Sequence, residues 1–128
     1  MSRPEADDAP YHAHIYYPPA ERSRAKALRE TLSQAPGVLF VGELRDGKVG
    51  PHPIPQFEIH FPKAALQVVL PLIEASGLTT LIHPLTGDDL ADHTTLGQWI
   101  GAPLDLDLSV LDPPGVNRGI ARFGTTDF

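Results

Sequence analysis

The chain contains no cysteine. That absence removes disulfides, thiolate nucleophiles and zinc–thiolate sites together, and it agrees with a reducing, cytoplasmic setting. Basic residues are also scarce. Ten Lys and Arg against sixteen Asp and Glu leave a formal net charge of −6 and a pI near 5.4. A nucleic-acid binder needs a basic stripe, and the one local concentration here, Arg22, Arg24, Lys26 and Arg29, has the spacing of a solvated helix face. No apolar run approaches the roughly 20 residues that cross a bilayer, and residues 1–8 are polar, without the apolar core of a secretory signal. Neither a nucleic-acid nor a membrane partner is expected. What the chain has in excess is histidine, six residues, and proline, fourteen.

The remainder is ordinary for a globular chain. It has 128 residues, 41% of them hydrophobic, and a mean hydropathy of −0.13, which suits one domain with a real core. Residues 1–10 have the composition of a disordered lead, and residues 112–128, opening with Pro113-Pro114-Gly115, that of an extended tail. Between them, residues 11–111 form the expected domain. Tyr11–Tyr17 is rich in aromatic and β-branched residues and is stopped by Pro18-Pro19, as a strand would be. Pro19–Gln34 follows with a helical stripe of Ala20, Ala27, Leu28 and Leu32, ended by Pro36-Gly37. Val38–Val41 is a short strand, and Gln56–Phe61 alternates cleanly before Pro62. Lys63–Ser76 is a second helix, with Pro71 implying a kink or a split and Gly77 a good stop. Leu78–His83 is a fourth strand. After it, Asp88 or Asp89 can cap a short helix in which Leu90, His93, Leu96 and Trp99 recur, and Leu104–Leu108 alternates as an edge strand does.

The order β-α-β-β-α-β is the ferredoxin-like arrangement of the α+β class, with both helices on one face of an antiparallel sheet. Right-handed crossovers place the first strand between the third and the fourth. The face away from the helices is left bare, which suits a homodimer interface or a site. Period-2 alternation puts His12, His14 and Tyr16 on that face, and Gln56, Glu58 and His60 with them. The antiparallel directions then bring His60 and His83 beside His12 and His14. A His-X-His pair on a strand sends both rings to one side, and with a third nitrogen or oxygen ligand such an array suits non-haem Fe(II) or catalytic zinc. His52, in a Pro-flanked loop, falls at the other end of the sheet and joins the cluster only if its loop folds back. Asp92 is either the orienter of a histidine or a solvated residue.

Three pieces of the chain, His12-Ala-His-Ile-Tyr16, Val49-Gly-Pro-His-Pro53 and Leu81–His93 with Trp99-Ile-Gly101, resemble the DOPA 4,5-dioxygenase family of aromatic ring-cleaving enzymes. The likeness runs from about Tyr11 to Leu111. It implies extradiol cleavage of a catechol such as L-DOPA by non-haem Fe(II) and O₂. On that resemblance His12, His14 and His83 are the expected metal ligands, with Glu58 as the carboxylate of a facial triad. His52 and His93 are the expected catalytic residues, making acid–base and substrate contacts, although the roles can be permuted. His60 lies outside the family motif and carries no expected role. Two other functions suit the same scaffold, because fold alone does not choose function. One is a non-catalytic small-ligand or metal-binding dimer, and the other is a monooxygenase of the dimeric α+β barrel type.

Overall fold

Alternation of apolar and polar side chains builds the centre of the molecule. In a computed structural model, which describes residues 6–48 and 50–125, strand β1 (Pro10–Tyr16) lies between β3 (Gln56–Pro62) and β4 (Thr80–Pro84), antiparallel to both. The short β2 (Phe40–Val41) flanks β3, and β5 (Gln98–Ile100) flanks β4, which gives the order β2-β3-β1-β4-β5. One face presents Ala13, Ile15, Phe57, Ile59, Phe61 and Ile82 to the helices, and all six are buried in a single core. Each large apolar side chain so buried contributes about 1.5–3 kcal/mol, so this face decides the register. A slip by one residue would exchange it for the polar face.

The helices cover that apolar face. Helix α1 (Arg22–Ser33) buries Ala25, Leu28 and Leu32. The expected stripe included Ala20 and Ala27, and both are exposed. Ala20 falls out of phase because Pro19–Glu21 forms a 3-10 turn ahead of the helix, and within α1 the buried stripe runs through Ala25 and not Ala27. Helix α2 (Leu66–Ser76) also follows a 3-10 turn, at Lys63–Ala65, and it runs through Pro71 without interruption. Pro71 and Gln67, whose carbonyl the proline leaves without a helical donor, are both exposed. Water can serve that carbonyl, so no split is needed.

After β4 the chain departs from the sequence reading. Helix α3 (Asp89–His93) is capped by Asp88, whose side chain accepts from the Ala91 amide. It ends at His93 and does not carry Trp99, which lies on β5 opposite Leu81. Gly97 permits the sharp return, because a Cβ there would stand 2.9 Å from Leu81 Cδ1 and 3.2 Å from the Asp92 carbonyl. The β4 edge is therefore taken by Gln98–Ile100, and Leu104–Leu108 is not a strand.

Of the expected disordered lead, residues 1–5 lie outside the described residues. Residues 7 and 9 are held to the start of the second helical segment, their carbonyls accepting from Ala64 N at 2.9 Å and Lys63 N at 2.8 Å. The face away from α1 and α2 is not bare. His52 and its loop, His93 of α3, and Leu111, Asn117, Arg122 and Phe123 of the same chain stand over its histidines, so a partner subunit is not needed to cover them. Among the described residues no helix is long and apolar enough to cross a membrane.

Candidate metal centre

Strand register assembles the sheet half of the site. His12 stands opposite both His60 on β3 and His83 on β4, and His14 stands opposite Glu58 and Leu81. Paired residues share a face, so His12, His14, Glu58, His60 and His83 all project away from the helices. All five are buried. The loop bearing His52 does fold back, and its ring lies 4.2 Å from that of His14, centroid to centroid. Helix α3 turns His93 in from the other side, 4.4 Å from the His83 ring. All six histidines thus meet on one face, although they come from five separate elements and loops.

Each ring is oriented by what its Nδ1 touches. The Nδ1 of His83 donates to the Pro84 carbonyl at 2.7 Å, and that of His93 to the Asp89 carbonyl at 2.8 Å. The Nδ1 of His14 donates to Gln56 Oε1 at 3.2 Å. An oxygen acceptor on Nδ1 fixes the proton there and leaves Nε2 as a lone pair, the usual second-shell device around metal-ligating histidines. Yet Nε2 of His14 and Nε2 of His83 stand 2.9 Å apart, face to face. Two lone pairs at that distance repel unless a cation lies between or beside them.

A shared proton is a poor solution, because burial and the neighbouring imidazoles hold His12, His14 and His83 well below the ordinary imidazole range. A metal ion is a better one. Two nitrogens bound to one ion at about 2.0–2.1 Å stand roughly 3 Å apart when the angle between them is near 90°. His12 completes the group: nitrogens of His12, His14 and His83 lie within 4.8 Å of one another. Its Nε2 is buried and makes no hydrogen bond among the described residues, while its Nδ1 lies 3.7 Å from Glu58 Oε2.

The other expected residues fall in distinct places. Nitrogens of His14, His52 and His93 form a second group within 4.8 Å. Burial, then the charge of His93, pushes His52 down to about 3. Glu58 does not join His14 and His83. It belongs to a third group, with His12 and His60, and its Oε2 accepts from His60 Nε2 at 3.0 Å. His60, to which the sequence reading gave no role, receives the Gly124 amide on Nδ1 at 2.9 Å and stacks on His12 with ring centres 4.1 Å apart. Both of its nitrogens are therefore committed to polar partners. Asp92 is buried but orients no histidine. It accepts from the Thr86 amide at 2.9 Å and hydroxyl at 2.6 Å and from Asn117 Nδ2 at 3.1 Å, holding the turn before α3.

Five of the histidines, all but His60, line a cavity of about 270 Å³ whose outer wall includes Leu111, Asn117, Arg118 and Arg122. That is just under the about 300–1,000 Å³ usual for small-molecule sites, and it suits a single-ring compound. Sequence reasoning missed this wall because nothing in the local pattern of residues 112–125 announces a return to the sheet. Asn117 was the available signal, a lone amide whose Nδ2 donates to the Thr86 carbonyl at 2.7 Å and pins the segment down.

Three comparisons bear on this geometry. The model of the Dopa 4,5-dioxygenase family matches residues 11–110. A DOPA 4,5-dioxygenase from Amanita muscaria is 32% identical over 111 residues, covering 79% of this chain and 49% of that protein. An uncharacterized 21.2 kDa protein from Botryotinia fuckeliana is 29% identical, over 79% of this chain and 62% of its own. The chain thus spans about half to three-fifths of the length of these two relatives. A crystal structure from Nostoc punctiforme, described as a candidate dioxygenase, superimposes with a TM-score of 0.75 at 34% identity, covering 81% of this chain and 91% of that one.

Proposed function

We propose that this chain, which belongs to the Dopa 4,5-dioxygenase family, is an extradiol dioxygenase that opens the ring of a catechol such as L-DOPA with Fe(II) and O₂. The observation that carries this reading is the 2.9 Å approach of the His14 and His83 Nε2 atoms, each left as a lone pair by an oxygen acceptor on its Nδ1. His12, His14 and His83 are assigned as the metal ligands. Three neutral nitrogens with open positions suit a borderline ion such as Fe(II). When bound, such an ion would supply the Lewis-acid and redox chemistry that the reaction of a catechol with O₂ requires.

The chain's own residues do the rest. Burial keeps the three ligand imidazoles neutral, so their lone pairs stay available at neutral pH. Glu58, held by His60, is assigned to orient His12 through Nδ1 in place of the direct ligation that the facial-triad expectation gave it. His93, with Nδ1–H on the Asp89 carbonyl, presents Nε2 as the base for a catechol hydroxyl proton. His52, beside His14 and His93, contacts the substrate. Residues 111–122 limit the access of water to the cavity and so sharpen every electrostatic contact inside it.

The test is direct. Protein loaded with Fe(II) under anaerobic conditions is mixed with L-DOPA and a panel of other catechols, and air is admitted. A yellow ring-opened product with one O₂ consumed per catechol is expected. Bound iron without O₂ uptake on any catechol would return the chain to a ligand- or metal-binding role.

A further inference from the structure

Of the five histidines that line the cavity, His14, His83 and His93 share one hydrogen-bond pattern at Nδ1 and His52 has the opposite one. Its Nδ1 lies 2.6 Å from the hydroxyl of Tyr16. Tyr16 is 1% exposed, and this is the one hydrogen bond of its hydroxyl among the described residues. A phenol oxygen can accept or donate, but a buried O–H requires an acceptor. The nearby ring nitrogen is what the structure offers, so the O–H donates to Nδ1. The geometry is rigid, since Tyr16 lies on β1 two residues beyond His14 and its ring stacks on Trp99 of β5 at 5.7 Å.

We propose that Tyr16 is a positioning residue that fixes His52 as a hydrogen-bond donor to the cavity, with its proton on Nε2, set apart from the lone-pair histidines assigned to the metal. The contrast with the other walls carries the point. His14, His83 and His93 give Nδ1–H to oxygen acceptors and turn bare Nε2 atoms inward. His52 receives a proton at Nδ1 and is left with an N–H on the edge that remains for the cavity it lines. An N–H there cannot ligate a metal through that atom. It can hold an anionic oxygen, and under the proposed function, on which this part of the inference rests, that oxygen belongs to the bound catecholate. The division of labour among the histidines then follows from hydrogen-bond direction and not from position in the chain.

The tautomer is measured on ¹⁵N-histidine-labelled, metal-free protein by NMR, without reference to turnover. In the wild type, His52 is expected with protonated Nε2 and bare Nδ1, the reverse of His14 and His83. Tyr16→Phe keeps the ring and its stacking on Trp99 and removes only the hydroxyl, so His52 should lose its single tautomer. A wild-type His52 protonated on Nδ1 would overturn the proposal. Zinc titration gives a second arm: Tyr16→Phe and His52→Gln should keep the wild-type stoichiometry, and loss of zinc in His52→Gln would make His52 a ligand and overturn it. In turnover assays Tyr16→Phe should lower kcat about tenfold or more at unchanged metal content. His52→Gln, which retains an N–H, should keep more activity than His52→Ala. A wild type with the expected tautomer but no O₂ uptake would sink the dioxygenase reading and leave the tautomer assignment standing.

Discussion

His14 shows how much a single side chain settles here. Its ring is gripped on one side by Gln56 and opposed on the other by His83, so it has no freedom to leave the cluster and no proton to give it. His14→Ala removes one of the two nitrogens that face each other and opens a small hole beneath the cavity. Metal content after anaerobic loading, read by elemental analysis, is expected to fall from one ion per chain to none. Circular dichroism should stay close to wild type, because the core that specifies the sheet lies on the opposite face. Stoichiometric metal in a folded His14→Ala protein would refute the ligand assignment. The sequence was informative at this scale wherever strand alternation applied. His12 and His14 are two apart on β1, as Glu58 and His60 are on β3, and a period of two leaves no choice of face. The direction of each Nδ1 was not legible, because the acceptors at Pro84 and Asp89 are backbone carbonyls and their placement depends on the folded path.

Among the elements, α2 is the informative one. It tolerates Pro71 because the proline and Gln67, whose carbonyl it leaves without a helical donor, are both exposed residues, yet a helix with a restored donor should still be better. Pro71→Ala is expected to stabilise the protein by about 1–3 kcal/mol, checked by urea unfolding. A loss of stability would mean that the proline serves a packing role that its exposure does not suggest. The central strands and both long helices were legible, since each is a run of one clear period bounded by proline or glycine. The stretch after β4 was not. Leu90, His93, Leu96 and Trp99 have helical spacing, but the close approach that Gly97 allows lets β4 claim Gln98–Ile100 as a partner. Pairing across the sheet outweighed local periodicity.

At the scale of the whole molecule, six imidazoles are enclosed on one face by segments distant in the chain. The loop at His52 and the segment from Leu108 to Thr125 were beyond sequence reasoning for one reason: their positions are set by long-range hydrogen bonds, from Tyr16, Asn117 and His60, and not by any repeat. Enclosure has a cost that acid reveals. His12, His14 and His83 are held below the ordinary imidazole value of 6.5, and His52 falls to about 3, burial being the main cause in each. Unfolding returns them to that ordinary value, so below pH 6.5 the unfolded chain binds protons that the folded chain refuses. Stability of the metal-free protein is therefore full above pH 6.5 and declines as the pH falls from there towards 3. Thermal melts across this window should show a Tm that is level at neutral pH and drops steadily in acid, and a level Tm down to pH 4 would mean that these rings are not buried neutral.

The position of the ion is the most direct test of the whole account. Crystals of protein loaded with Fe(II) under anaerobic conditions, measured at the iron absorption edge, should give one anomalous peak per chain, within bonding distance of His12, His14 and His83 and open towards the cavity. A peak at Glu58 and His60, or no peak in protein that carries iron, would contradict it.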